Sequence, residues 1–139
     1  MKIKSPGKDN VNDILNMIVE FTNRREKQLS ENIINVNTEG YKPQDLDVSG
    51  FTYLMSLALS EHLLSERLVL QDSSTVKFGS NGTFEAVPQI DDKSTELLFS
   101  NKKQYLKAQL KKMAENIINR KSAVQMIEQK SNNSSRLNA

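Results

Sequence analysis

His62 and Glu66 are the residues whose types and spacing come closest to a chemical site. They lie four residues apart, so a helix would place them on one face, where they could share a metal ion. The sequence has no second His, no Cys and no evident third ligand. A Ser-His-Asp site would also have to use His62, and the chain has neither a Gly-x-Ser-x-Gly turn nor a phosphate-binding loop. The sequence therefore predicts a protein that is not an enzyme, with no catalytic residues, metal, cofactor or small-molecule substrate.

A run of lysines is the second feature that could do chemistry, by binding nucleic acid. Its members are Lys102, Lys103, Lys107, Lys111 and Lys112. The net charge of the whole chain is only +2, and Tyr105 is the single aromatic residue among the lysines. The pattern therefore favours a solvated helix face, and we expect no nucleic-acid partner.

The most apolar window, residues 51–70, is about as long as a membrane span but contains Glu61, Glu66 and Arg67. We therefore expect no direct membrane insertion. The first residues have no apolar run that would form a cleaved signal peptide. We expect residues 1–9 and the polar tail, residues 130–139, to be flexible.

The elements that must position any site are two long helices. Apolar residues three or four apart predict a helix over residues 10–36, with Asp9 or Asn10 as its N-cap, inside an N-terminal segment of residues 10–42. A C-terminal segment of residues 91–129 has a similar seam, which predicts one continuous helix from about Ser94 to Gln129. The seam residues that we expect to pack include Leu106, Leu110, Met113, Ile117 and Val124.

The central segment, residues 43–90, has a different pattern. Residues 51–64 can form a short helix. Two β-prone runs, residues 75–78 and 83–87, flank Asn81-Gly82, which is a strong signal for a β-hairpin. The predicted fold is mainly α, with the terminal helices packed as a coiled-coil-like pair beside this central segment. Only 37% of the 139 residues are hydrophobic, so we expect neighbouring molecules to complete the core.

The end of the first helix has the most informative motif. Gly40 can adopt positive φ where the chain reverses, and the side chains around it can bond to the freed backbone groups. The motif residues are Leu29, Asn32, Ile33, Asn35, Thr38, Gly40, Tyr41 and Lys42. The pentapeptide at its centre, Glu-Asn-Ile-Ile-Asn, recurs at residues 115–119, but the flanking residues differ, so we infer no duplication.

This motif resembles the N-terminal signature of the bacterial flagellar rod and hook proteins, Leu-x-x-Asn-Ile-Ala-Asn-x-x-Thr-x-Gly-Tyr-Lys. The departures are Ile34, where the family usually has Ala, and Glu39, where Pro is common. The length and the Asp-Leu-Asp that follows are most similar to the short proximal-rod subunits. Leu98, Asn101 and Tyr105, after Asp91 and Asp92, resemble that family's C-terminal spacing.

The resemblance implies a structural protein of the flagellar basal body. Such subunits are exported unfolded by the flagellar type III system, without cleavage, and assemble helically into the periplasmic rod that transmits torque. The implied partners are copies of the chain, other rod subunits, the export gate and the adaptor protein at the rod base. The alternatives are another short rod subunit and a helical adaptor that forms no filament.

Overall fold

The computed structural model describes residues 9–137. Four helices in this range are α1 (Asn10–Ile34), α2 (Val48–Ser65), α3 (Asp92–Ser100) and α4 (Lys102–Leu137). Four short strands are β1 (Gln44–Asp45), β2 (Val76–Phe78), β3 (Phe84–Ala86) and β4 (Gln89–Ile90). The mainly helical fold with long helices toward both ends is confirmed, and residues 1–8, predicted to be flexible, lie outside the described residues.

The two long helices lie side by side and run antiparallel. Contacts along their length join Asn32 to Gln109, Thr22 to Asn116 and Asp9 to Lys130. Asp9 also caps α1, because its Oδ1 accepts hydrogen bonds from the first backbone N–H groups of the helix. The predicted start of α1 is therefore correct, and its end at Ile34 comes two residues before the predicted one.

The C-terminal segment differs from the prediction in two ways. It contains two helices, because Asn101, with φ of −157° and ψ of 89°, leaves the helical conformation between α3 and α4. The Asn101 side chain then caps α4 by accepting a hydrogen bond from the Gln104 N–H at 3.1 Å. The second helix also continues to Leu137, so the segment placed in a flexible tail from residue 130 is helical up to that residue.

The hydrophobic core lies between α1, α2 and the hairpin. Phe21 of α1 stacks on Phe51 of α2 with ring centroids 4.1 Å apart, and Phe51 contacts Phe84 of β3 at 5.3 Å. The other core residues are Ile14, Met17, Leu46, Leu54, Met55, Ala58 and Val76. The central segment thus supplies much of the core, which corrects the expectation that it lies beside the helix pair. The apolar stripe of α1 packs on α2 and the hairpin because α4 presents mainly polar side chains to it.

Both small sheets are antiparallel. Strands β2 and β3 form the predicted hairpin, in which Asn81 and Gly82 have φ of 56° and 74°. Asp47 joins this hairpin to α2, since one carboxylate oxygen caps the helix at the Gly50 N–H and the other accepts a hydrogen bond from Thr75. Strand β1 pairs with β4 and places the start of α3 beside the end of the α1 turn.

Candidate functional site

The last five motif residues lie in a closed turn after α1, which we call the signature turn (residues 35–42). Asn35 ends the helix and donates a side-chain hydrogen bond to the Glu31 carbonyl at 2.8 Å. Thr38 donates to the Asn35 amide oxygen at 2.9 Å, and Gly40 has the positive φ, 76°, that the sequence predicts. Lys42 is exposed. The turn reverses the chain toward β1.

Asn32 is the centre of the site, although it lies on α1 before the turn. Its side chain is fully buried. Its amide oxygen accepts hydrogen bonds from the Tyr41 hydroxyl at 2.7 Å, the Gln44 N–H at 3.2 Å and Gln28 at 3.2 Å. Its amide nitrogen donates to the Gln44 carbonyl at 2.7 Å and to Gln109 of α4 at 3.0 Å. One side chain thereby joins α1, the signature turn, β1 and α4.

Tyr105 and Leu29 close this junction. Tyr105 is buried and donates a hydrogen bond to the Asn32 backbone carbonyl at 2.8 Å. Leu29, one turn before Asn32, is also fully buried, whereas Ile33 is half-buried. The predicted residues Leu29, Asn32, Tyr41 and Tyr105 therefore meet around one buried point, which we call the Asn32 junction.

A chain of polar contacts continues from the junction into α3. Gln109 donates to the Ser94 hydroxyl at 2.8 Å, and Ser94 donates to Asp91 at 2.6 Å. Asp91 also caps α3 through the Ser94 N–H. Lys112 reaches Asp91 at 2.5 Å, so α4 holds the start of α3 by charge as well as by hydrogen bonds.

The same lysine links the junction to a buried ion pair. Lys112 lies 3.6 Å from Asp45 of β1. Arg25 of α1 binds both carboxylate oxygens of Asp45 at 2.9 Å. Arg25 is 8% exposed, so this bidentate pair holds β1 against α1 in a largely water-free position.

Around the junction, burial raises the pKa of the Tyr105 and Tyr41 hydroxyls, whereas the pKa of Asp91 is lowered. Burial raises the pKa of the Tyr105 hydroxyl to about 12, and the nearby Tyr41 and Asp91 add to the shift. Burial would also raise the pKa of Asp91, but hydrogen bonds from Lys112 and Ser94 outweigh it and lower the pKa below 3.8. These shifts favour, near neutral pH, the protonation states that the hydrogen bonds require.

The recurring pentapeptide buries its first Asn and exposes its second Ile in both helices. Asn116, which corresponds to Asn32, is buried and donates to the Thr22 carbonyl of α1 at 2.7 Å. Ile118 and its counterpart Ile34 are both exposed. The recurrence therefore marks polar contacts between α1 and α4 within the chain. It was the one sequence signal for Asn116, whereas Gln109, Ser94 and Lys112 have no periodic pattern that would identify them.

The predicted packing seam of α4 does not face α1 directly. In residues 102–133 of α4, the buried side chains are those of Tyr105, Gln109, Asn116 and Ala123. Of the predicted residues, Leu110 is 55% exposed. Tyr105, which was also predicted to pack, is buried, and Asn101 is exposed. The remaining predicted residues are half-buried: Leu98, Leu106, Met113, Ile117 and Val124. The seam is displaced because inward-facing polar residues find partners on α1, and because the break at Asn101 separates α3 from α4.

An apolar groove lies between α1, α2 and the C-terminal half of α4. Its volume is about 730 Å³. Ile14, Ile18 and Phe21 of α1 line it, with Leu59 of α2 and Met126 of α4 on its walls. The two cations in its lining are compensated, because Arg25 pairs with Asp45 and Lys130 with Asp9. The groove is therefore suited to an apolar helix face rather than to a charged small molecule.

The residues considered for catalysis do not form a cluster. The His62 ring lies 3.3 Å from the amide nitrogen of Asn10, which also donates to the Glu66 backbone carbonyl. Within the part of the chain that the structure describes, no three His, Asp or Glu side chains come together as metal ligands. In the same range, no helix is both long and apolar enough to cross a membrane.

Comparison of the chain with known protein families, with curated proteins and with solved structures gave no match.

Proposed function

We propose that this chain is a structural subunit of the bacterial flagellar rod, most similar to the proximal-rod subunits. The observation that carries the proposal is the Asn32 junction. The residues that resemble the rod signature are the ones that fix the end of α1 against the signature turn and α4. A subunit that transmits torque needs its two long helices held at a fixed angle and register, and such a junction supplies this.

The surface of the chain supports an assembling protein. Phe99 is 95% exposed, and among the side chains that the structure describes ten other large apolar residues are exposed as well. Helix α2 is apolar around much of its circumference, yet only its Phe51, Leu54, Met55 and Ala58 face is buried. A helix with this composition is typical of one covered on several sides. Copies of the chain and other rod subunits are the proposed covering partners.

The rest of the proposal follows from the same role. The chain is exported through the flagellar type III apparatus without cleavage and is placed in the periplasmic rod. There it contacts other rod subunits, the export gate and the adaptor at the rod base. Within each subunit, we propose that the two long terminal helices, α1 and α4, pair in the manner of a coiled coil.

The direct test is deletion of the gene followed by complementation. We expect cells that lack the chain to be non-motile and to have basal bodies without a complete rod. The intact chain restores both, and an antibody detects it in purified basal bodies. Motile deletion cells with complete rods would contradict the proposal.

A helical adaptor that forms no filament is the second candidate. It is favoured by the core between α1, α2 and the hairpin, which gives the chain an interior of its own. Sedimentation separates the two candidates. An adaptor stays monomeric and melts in one sharp transition whose midpoint is independent of concentration, whereas a rod subunit associates and its melting midpoint rises with concentration.

A further inference from the structure

One side of α4 has an apolar strip that α1 does not cover. We call this strip the α4 flank (Leu106, Leu110, Met113, Ile117 and Val124). Leu110 is 55% exposed, and the other four are half-buried. At about 100° per residue, the flank lies roughly a quarter turn around α4 from Tyr105 and Asn116, which face α1.

The groove lies on the opposite side of the same helix pair. Ser122, Met126 and Gln129, which line it, are roughly a quarter turn around α4 in the other direction. The flank is about 27 Å long, and the groove walls on α1 and α4 are roughly 21 and 26 Å long at 1.5 Å per residue. A ridge and a hollow of matching length therefore lie on opposite faces of one molecule.

The charges of the chain are divided between α4 and the remainder. Residues 102–137 contain nine basic and two acidic residues, a net charge of +7, whereas residues 1–101 contain ten basic and fifteen acidic residues, a net charge of −5. The α4 ion pairs in the described range use Lys112, Arg120 and Lys130. The lysines closest to the flank around α4 lie outside these pairs: Lys103, Lys107 and Lys121.

The walls that α1 and α2 give to the groove place no unpaired cation against a basic partner surface. Helix α2, which forms the outer wall, has no Lys or Arg, and its Glu61 lies outside the groove lining and pairs with Arg67 at 3.1 Å. Opposite charges on two parts of one chain favour the approach of one copy's α4 to the remainder of another.

From these features we infer that the α4 flank of one copy binds the groove of a second copy. The contact buries Leu110 of one molecule among Ile18, Leu59 and Met126 of the next. Because the two surfaces differ and lie on opposite faces, the contact is head-to-tail, and every added copy offers a free flank and a free groove. This inference rests on the proposed role as an assembling subunit and assigns the surfaces that assembly uses.

Two exposed substitutions test the inference in the full chain. Leu110→Glu places a carboxylate on the flank, and Met126→Lys places a cation on the groove wall, where Met126 is 52% exposed. Each is expected to weaken self-association at least about tenfold in sedimentation equilibrium, because a charge must be buried in an apolar contact. Leu64→Glu is the control, because Leu64 is exposed on α2 outside both surfaces. Circular dichroism shows whether the variants keep the wild-type helix content.

Mixing the two variants gives the decisive result. Leu110→Glu retains an intact groove and Met126→Lys retains an intact flank, so an equimolar mixture is expected to form a dimer that grows no further. A mixture that stays monomeric while the wild type associates would overturn the head-to-tail contact, as would a monomeric wild type. If Leu110→Glu enters rods and supports motility normally, the assigned surface is wrong and the rod function stands. If the wild type associates head-to-tail but deletion cells build complete rods, the rod function fails and the contact stands.

Discussion

Asn32 shows how one buried amide can join several elements of a fold at one point. A neutral side chain with two donors and an acceptor oxygen can join several backbone segments, and a burial penalty arises only if a partner is missing. All of its polar atoms have partners in the structure. A substitution at this position therefore affects several elements at once.

Replacing Asn32 with Ala is expected to lower the free energy of unfolding by about 2 to 4 kcal/mol, because it leaves Gln109, Tyr41 and Gln44 without a buried partner. Urea denaturation measures the change. Asn119→Ala is the matched control, since Asn119 is the exposed last residue of the recurring pentapeptide, and it should cost no more than about 0.5 kcal/mol. Equal effects of the two substitutions would show that the junction has no special role.

Tyr105 makes the stability of the junction depend on pH in the alkaline range. Its pKa is raised to about 12 in the folded protein, whereas an unfolded tyrosine titrates near 10. The folded state therefore holds the proton more tightly, so the contribution of Tyr105 is complete below about pH 10 and is lost as the pH rises to about 12.

Tyr105→Phe removes this titration along with the hydrogen bond to Asn32. Near pH 7 the variant is expected to be about 1 to 2 kcal/mol less stable than the wild type, and the difference should shrink toward about pH 12. Urea titrations at several pH values, with Tyr53→Phe as an exposed control, measure it. A difference that is the same at every pH would count against the buried hydroxyl.

Among the elements, those with local signals were predictable. Asp9 marks the start of α1, Asn81-Gly82 marks the hairpin, and Gly40 marks the signature turn. The break at Asn101 was missed because an apolar seam runs through it. Asn is a favourable N-cap residue, and Asn101 caps α4 after the break. The seam does not face α1, because polar residues such as Gln109 and Asn116 turn inward, and their partners are distant in sequence.

The signature turn depends on the positive φ of Gly40. A Cβ atom there would meet no other atom within 4 Å, so the cost of a side chain comes from the backbone alone. Gly40→Ala is expected to reduce stability by about 1 to 2 kcal/mol, and Gly40→Asn by less, because Asn tolerates this conformation better. Thermal unfolding of the two variants compares them directly. If Asn is as costly as Ala, the strain explanation is wrong.

For the whole molecule, the division of charge is more informative than the net charge. A value of +2 indicates no strong attraction to any partner, yet it results from +7 on residues 102–137 and −5 on the remainder. The lysines of α4 alone do not indicate where the opposing charge lies in space, because that depends on how the helices pack.

Self-association should therefore weaken with added salt. Raising the ionic strength from about 0.05 to about 0.5 M shortens the screening length several-fold and should raise the dissociation constant between copies. Sedimentation at several salt concentrations measures the slope of the dissociation constant against ionic strength. Exchanging Lys103 and Lys107 for Gln should flatten it, whereas a slope that stays unchanged would mean that the lysines take no part.

The opposite placement of the flank and the groove has a consequence for size control. An assembly that grows by binding the flank of each copy to the groove of the next has no internal signal at which to stop. The last molecule presents the same free surface as the first. The number of copies must then be fixed from outside, by a different protein that occupies one of the two surfaces and offers no further hollow.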